Sequence, residues 1–77
     1  MDGSIVLIGD DDLLVDCNGE TATIQWIKVY NSSSVLVLER KGCYANSCLY
    51  DVSSLSTGGF SVLVHTSQGD FSGGFEH

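Results

Sequence analysis

The stretch of residues 58–75 constrains the fold of this chain more than any other. In each of two runs, alternate residues fall on opposite faces. In the first run one face carries Phe60, Val62, Val64 and Thr66, and the other carries Ser61, Leu63 and His65. In the second run one face carries Phe71, Gly73 and Phe75, and the other carries Ser72, Gly74 and Glu76. A period of two predicts half-buried strands, and the Gln68-Gly69-Asp70 sequence between the runs is typical of a hairpin turn. The apolar face of this hairpin requires a second layer, which the remaining residues must supply.

Length and composition limit the chain to one small domain. It has 77 residues, of which 43% are hydrophobic, with nine glycines and no proline. This composition is typical of a globular all-β protein with many turns. We expect residues 1–77 to form a single domain. Met1 to Ser4 lacks the features of a signal peptide, and residues 1–4 and 76–77 are interpreted as remnants of cloning.

Further short β-prone segments precede the hairpin. They occupy residues 5–8, 13–17, 21–30, 35–40 and 49–52, separated by turn residues such as Asn18-Gly19. About seven short strands with closely spaced turns predict an antiparallel β-sandwich. A small β-barrel is the alternative, because strand number does not separate the two architectures.

Two of these segments are ambiguous in phase. Ala22, Ile24 and Trp26 alternate on one face, whereas Ile27 and Val29 belong to the other. Either both faces are covered or a bulge near Trp26 resets the alternation; we favour the bulge. Trp26 is expected in the core.

The segment 35–38 is apolar in both phases. A strand that is apolar on both faces is typical of the centre of a sheet. We therefore expect it to be a central strand.

The chain carries a formal net charge of −7, and its only lysines and arginine are Lys28, Arg40 and Lys41. Such a chain repels nucleic acids and acidic membrane surfaces. The apolar runs are far shorter than the roughly 20 residues of a membrane helix, so we expect no membrane insertion.

Three cysteines leave one unpaired if a disulfide forms. Cys43 and Cys48 enclose a short polar segment that can bring them within bridging distance, and a small domain gains stability from such a bond. A Cys43–Cys48 disulfide is one expectation, and three reduced thiols are the other. A bond from Cys17 to a distant cysteine stays open, since sequence cannot exclude it.

Metal and cofactor chemistry is weakly indicated. Asp10, Asp11, Asp12 and Asp16 are dense enough for a calcium site, but the ligand spacing of a calcium loop is absent. A solvated acidic turn is the simpler interpretation. Cys43 and Cys48 provide only two zinc ligands, so we expect no metal site and no cofactor.

No catalytic residue is predicted. His65 falls on the face that is expected to contact solvent, and no nucleophile motif accompanies it. We therefore expect that the chain is not an enzyme. Tyr44, in the cysteine loop, is the aromatic residue expected to be exposed, and it is a candidate contact for a protein partner. A glycan contact through Trp26 or Tyr44 is a further alternative.

Two segments together resemble a known family. Residues 27–36 are similar to a strand–turn–strand pattern xVyNxxGxVv, and residues 51–64 to DVSxLxxGxYxVxV, followed by xxGxxSGxF at residues 69–75. These strings resemble small secreted Ig-like domains of unknown function from gut-commensal bacteria. They are also similar to the Ig-like C-terminal sorting domain of type IX secretion, whose last strand is commonly rich in lysine, unlike Ser72 to Glu76 here.

The resemblance implies an Ig-like sandwich that is secreted or attached to the cell envelope. It implies no catalytic or binding residue. We therefore expect a non-enzymatic binding or interaction module that contacts a protein through a free sheet edge or through its loops. The alternative is a passive structural or secretion-sorting domain of a larger exported protein.

Overall fold

The fold is an all-β sandwich, seen in a computed structural model that describes residues 2–19 and 21–77. These residues form seven strands and no helix: β1 (Ser4–Ile8), β2 (Asp12–Asp16), β3 (Ile24–Asn31), β4 (Leu36–Lys41), β5 (Ser47–Asp51), β6 (Gly59–Thr66) and β7 (Gly69–Glu76). All strand pairs are antiparallel. The strand number and the all-β class confirm the sequence prediction, and the two separate sheets favour the sandwich over the barrel.

The two sheets contain three and four strands. Their orders are β1-β2-β5 and β4-β3-β6-β7, so the chain changes sheets between β2 and β3, between β4 and β5, and between β5 and β6. The inward side chains of both sheets form one core: Leu13, Val15, Cys17, Ala22, Ile24, Ile27, Val29, Leu38, Cys48, Val52, Phe60, Val62, Val64, Phe71 and Phe75. Leu55 packs against this core from outside the strands, as a plug at its margin.

The β6–β7 hairpin has the predicted faces. Phe60, Val62 and Val64 of β6 and Phe71 and Phe75 of β7 are buried, and the rings of Phe60 and Phe75 stack 5.4 Å apart. The turn lies one residue earlier than predicted. Thr66 pairs with Gly69, whose φ of 119° is a conformation that favours glycine.

A bulge resets the phase of β3, as predicted. The pairing of β3 with β6 shifts between Ile24 and Trp26, so that Ile24 and Ile27 both point into the core. The expectation for Trp26 is wrong. Because the bulge lies before Trp26, its side chain moves to the outer face, where it is partly exposed.

The prediction that residues 35–38 form a central strand is also wrong. β4 lies at the edge of the four-stranded sheet, and only Leu38 among its residues is buried. Val35, which precedes β4, and Leu36 and Val37 are exposed. A second irregularity, at Val29 and Tyr30, leaves Val37 without a partner in the register, and Leu36 pairs with the outward residue Tyr30. The apolar run in both phases therefore reflects an exposed edge.

The turn between β3 and β4 explains a departure from the family pattern. Ser34 has a φ of 62°, a left-handed conformation that favours glycine, and it stands at the glycine of the pattern. The Asn31 side chain holds the turn by accepting hydrogen bonds from the backbone amides of Ser33 (2.9 Å) and Val35 (3.0 Å). These two bonds offset the backbone cost of a serine at this position.

Both ends of the described chain take part in the sheets. Ser4 begins β1 and Glu76 ends β7. His77 exchanges two backbone hydrogen bonds with Gly58, of 2.8 and 3.1 Å. The interpretation of residues 1–4 and 76–77 as cloning remnants stays a prediction.

Candidate binding site

The outer face of the four-stranded sheet carries three rows of side chains in register. Because β3 lies between β4 and β6, each outward residue of β3 has a neighbour on both sides. The rows are Lys41–Trp26–His65–Asp70, Glu39–Lys28–Leu63–Ser72 and Leu36–Tyr30–Ser61–Gly74. The first two rows combine aromatic and charged groups, which distinguishes this face from the rest of the chain.

Trp26 lies at the centre of the polar part of this face. Its indole stacks on the imidazole of His65, with ring centroids 4.9 Å apart and an interplanar angle of 13°. The Lys28 ammonium lies 4.9 Å from the centroid of the indole, within the range of a cation–π contact. Asp70 Oδ1 accepts a hydrogen bond from His65 Nδ1 at 2.6 Å. These contacts hold the indole in one orientation.

A groove of about 460 Å³ lies beside the indole, between the outward side chains of β3 and β4. It is lined by Trp26, Lys28, Glu39, Arg40 and Lys41. All three lysine and arginine residues of the chain therefore line a single groove. Glu39 partly neutralises them, since its carboxylate lies 3.7 Å from the Lys28 ammonium.

Lys41 pairs with Trp26 and leaves its charge available in this groove. Arg40 pairs with the inward-facing Ile27, so it lines the groove from the edge of β4, and its charge also acts on Asp51 of the other sheet. Arg40 and Lys41 are both exposed. The Arg40 guanidinium is steadied by a hydrogen bond from Nη1 to the backbone carbonyl of Glu39 (2.8 Å), and this carbonyl carries no formal charge. The groove is thus cationic on a chain of net charge −7, and it favours an anionic group.

His65 and Asp70 have the geometry of two members of a hydrolase triad, in which an acid orients a histidine. Here the imidazole is packed against Trp26, so its fixed orientation already has a structural explanation. His65 lies on the solvent-facing side, as expected, but it is more than an ordinary surface residue, because it stacks on Trp26 and donates a hydrogen bond to Asp70. The expectation that the chain is not an enzyme stays a prediction.

The cysteine loop links the two sheets. A disulfide joins Cys43 to Cys48, whose Cα atoms lie 5.9 Å apart. Backbone hydrogen bonds fasten the loop to the start of β3, from Tyr44 to Ile24 (3.1 Å) and from Ile24 to Ala45 (2.9 Å). Cys17 is buried and is not part of a disulfide.

Tyr44 projects from this loop. Its residue is 67% exposed and has a φ of 55°, which is uncommon for a tyrosine. Tyr44 does not line the groove, so the structure separates it from Trp26, the other residue considered for ligand contact. Its contact with a partner stays a prediction.

Asp10 and Asp11 lie in the turn between β1 and β2, and Asp12 is the first residue of β2. Within residues 2–19 and 21–77, no group of three or more histidine, cysteine, aspartate or glutamate side chains is arranged to hold a metal ion. The Asp16 carboxylate instead accepts a hydrogen bond from the backbone amide of Asn18 (3.0 Å).

Burial raises the pKa of Tyr50, and hydrogen bonds perturb two further ionisable groups outside the groove. Hydrogen bonds from the backbone and side chain of Ser53 hold the pKa of Asp51 below its ordinary value, with a smaller contribution from the charge of Arg40. A hydrogen bond to the Ser56 carbonyl, aided by Asp11, raises the pKa of His77. Both groups stabilise chain segments that connect the sheets.

One candidate edge for strand addition, β4, carries features that oppose pairing with another strand. β4 is a free edge, but it carries an irregular register and the charged residues Glu39, Arg40 and Lys41. Such features discourage pairing with another strand. Contact through the β4 edge therefore has less support than contact through the outer face, and β1, β5 and β7 are the other edge strands.

Signals for the groove were present in the sequence. Lys28, Arg40 and Lys41 were identified as the only strong cations, but their convergence requires the register of β3 with β4.

No helix in the described part of the chain is long and apolar enough to cross a membrane. Comparisons with models of protein families, with curated proteins and with solved structures find no match to this chain.

Proposed function

We propose that this chain is a non-enzymatic, Ig-like binding module that acts outside the cell and binds an acidic glycan in the groove beside Trp26. The observation that carries the proposal is the convergence of Lys28, Arg40 and Lys41 on one groove. These residues are the only strong cations of the chain.

The charge distribution favours a ligand with local negative charge. A long polyanion would meet the repulsion of the whole chain, whose net charge is −7. A short ligand with a few carboxylates contacts mainly the groove. Arg40 and Lys41 can then form charge-assisted hydrogen bonds with it.

The other two groups in the groove favour a sugar over a simple anion. The partly exposed indole of Trp26 offers an apolar surface for the C–H face of a pyranose ring. Glu39 offers carboxylate oxygens that accept hydrogen bonds from sugar hydroxyls. An aromatic surface with a few polar groups around it is the usual composition of a small-ligand site.

The strand order supports an Ig-like relationship. In an Ig constant-type sandwich, strands one, two, four and five form one sheet and strands three, six and seven the other. Here strand four pairs with strand three, and the other six strands have the Ig distribution. The Cys43–Cys48 disulfide is compatible with export, because such bonds persist in oxidising compartments.

Calorimetric titration with oligogalacturonate, a short chain of carboxylated sugars, tests the proposal. We expect saturable binding that weakens roughly tenfold in Arg40→Gln and in Lys41→Gln, since each removes one charge-assisted contact. Neutral galacto-oligosaccharide is the ligand control. Tyr44→Ser is the control variant, because it removes an exposed aromatic residue outside the groove.

The passive structural or sorting domain predicts a different result. In that case no acidic ligand binds saturably, and the groove variants behave as the parent chain does. Binding that is lost in Tyr44→Ser but kept in both groove variants would move the site to the cysteine loop and contradict the proposal.

A further inference from the structure

A second surface lies on the opposite side of the molecule, on the outer face of the three-stranded sheet. Its strands align three rows of outward side chains in register: Ile8–Asp12–Asp51, Val6–Leu14–Leu49 and Ser4–Asp16–Ser47. The middle row is entirely apolar and crosses the whole sheet. This surface shares no residue with the groove beside Trp26.

The apolar row is contiguous, with its outer members Val6 and Leu49 exposed and its middle member Leu14 partly exposed. Leu49 is 60% exposed, Val6 is 49% exposed, and Ile8, two residues along β1 from Val6, is 47% exposed. Single exposed apolar residues are ordinary on protein surfaces, but neighbouring ones in register form a patch. A contiguous apolar patch on a chain this small is a marker of an interaction surface.

Carboxylates flank the patch on both sides. Asp12 and Asp51 stand directly opposite each other on β2 and β5, and Asp16 lies on the far side of Leu14. Like charges in directly opposed positions destabilise a sheet. The ion pairs of the described residues lie elsewhere, between Lys28 and Glu39, His65 and Asp70, and His77 and Asp11.

Local structure explains part of this acidity. Asp16 and Asp51 each accept a hydrogen bond from a backbone amide two residues on, from Asn18 and Ser53. An asparagine side chain provides the same acceptor without a charge. The turn geometry therefore accounts for the oxygen atoms of Asp16 and Asp51, and the charge of Arg40 acts on Asp51 from the other sheet. Among the described residues, Asp12 and Asp16 form no ion pair beside the apolar row.

We infer that the outer face of the three-stranded sheet docks a second protein whose contact surface is an apolar ridge flanked by lysine or arginine side chains. Val6, Leu14 and Leu49 bury the ridge, and Asp12, Asp16 and Asp51 pair with the flanking cations. Because the patch is flanked by carboxylates, charge complementarity favours a partner whose contact surface carries cations. A second copy stacked face to face by a two-fold axis would bring six of these carboxylates around one apolar strip.

The test uses a synthetic peptide of alternating leucine and lysine as the probe, titrated into the isotope-labelled chain and followed by NMR. We expect the largest amide shifts on β1, β2 and β5. Two control peptides separate the contributions: alternating serine and lysine keeps the charge, and alternating leucine and glutamate keeps the apolar groups. We expect the leucine–lysine peptide to bind roughly tenfold or more tightly than either.

Matched variants locate the site on the chain. Leu49→Ser and Asp12→Asn are expected to weaken binding of the leucine–lysine peptide, Leu49→Ser by roughly tenfold. Leu36→Ser, at an exposed leucine of the other sheet, is expected to leave it unchanged. Retained dispersion of the amide spectrum shows that each variant is folded.

Three outcomes would overturn the inference. They are equal binding of the leucine–lysine and serine–lysine peptides, equal weakening by Leu49→Ser and Leu36→Ser, and shifts centred on the four-stranded sheet. Amide shifts on β1, β2 and β5 that appear on concentrating the chain alone would identify a second copy as the occupant and overturn the choice of partner. The glycan titration is independent of all these results.

Discussion

The indole of Trp26 and the imidazole of His65 stack across neighbouring strands, 4.9 Å apart and nearly parallel. This relationship places the single tryptophan of the chain on the outer face of the sandwich. The core is closed without it, by Ile24 and Ile27 on either side of the β3 bulge. The tryptophan is therefore available for a ligand and is not required for packing.

The loss of stability on replacing Trp26 measures how little the core depends on the indole. We expect Trp26→Ala to lower the free energy of unfolding by about 0.5 to 1.5 kcal/mol, the range for a cross-strand aromatic pair. Ile27→Ala, which removes a fully buried side chain, is expected to cost about 2 to 5 kcal/mol. Urea denaturation measures the free energy of unfolding of both variants. A larger loss of stability in Trp26→Ala than in Ile27→Ala would indicate that the indole is part of the core.

Gly42 is expected to tolerate no side chain. A Cβ atom there would overlap the backbone carbonyl of Ile24 and the backbone nitrogen of Gln25, neither of which can move without disturbing β3. We expect Gly42→Ala to destabilise the fold by about 1 to 3 kcal/mol or more. Gly73→Ala is the control, because its Cβ atom would meet only the end of the Ile5 side chain. Equal thermal stability of the two variants would contradict the close approach of the loop to β3.

The disulfide is expected to stabilise the fold by about 2 kcal/mol, the loop-closure estimate for a ring as short as that between Cys43 and Cys48. Denaturation with and without a reducing agent measures this value. The double variant Cys43→Ala/Cys48→Ala is the control and should not respond to reduction. In the unfolded, unreduced chain we expect one alkylatable thiol, at Cys17. Three such thiols would disprove the bond.

The raised pKa of His77 predicts a pH dependence of stability. Its protonated form is held by the Ser56 carbonyl and the Asp11 carboxylate, so the folded state binds the proton more tightly than the unfolded state does. The stabilisation is fully present below the unfolded pKa of about 6.5 and is lost as the pH rises through the folded pKa.

As the pH rises above about 6.5, the free energy of unfolding should therefore fall by more in the parent chain than in His77→Gln. NMR titration of the His77 ring gives the pKa itself. A folded pKa at or below the ordinary histidine value would refute the interaction.

The sequence contained most of the information about the positions and faces of the strands, and little about which strands pair with each other. The alternation from Phe60 to Phe75 predicts both faces of β6 and β7, because each strand is half buried along its length. The change of phase between Ile24 and Ile27 predicts the bulge of β3. It also implies that Trp26 faces outward, an implication that the preference of tryptophan for buried sites obscured.

Sheet position could not be inferred from composition. Residues 35–38 are apolar in both phases, as in a central strand, yet β4 lies at an edge because strand order depends on pairing across the whole chain. The groove was hidden for the same reason. Lys28 is 13 residues before Lys41 in sequence, and only the register of β3 with β4 brings Lys41 opposite Trp26, on the same face as Lys28.

The fluorescence of Trp26 tests the central claim most directly, since this residue is the only tryptophan of the chain and lines the groove. Titration with oligogalacturonate should change its emission saturably. The change should be reduced in Arg40→Gln and in Lys41→Gln but kept in Tyr44→Ser. Emission that stays constant throughout the titration, or that responds equally to neutral galacto-oligosaccharide, would contradict the assignment of this groove as an acidic-glycan site.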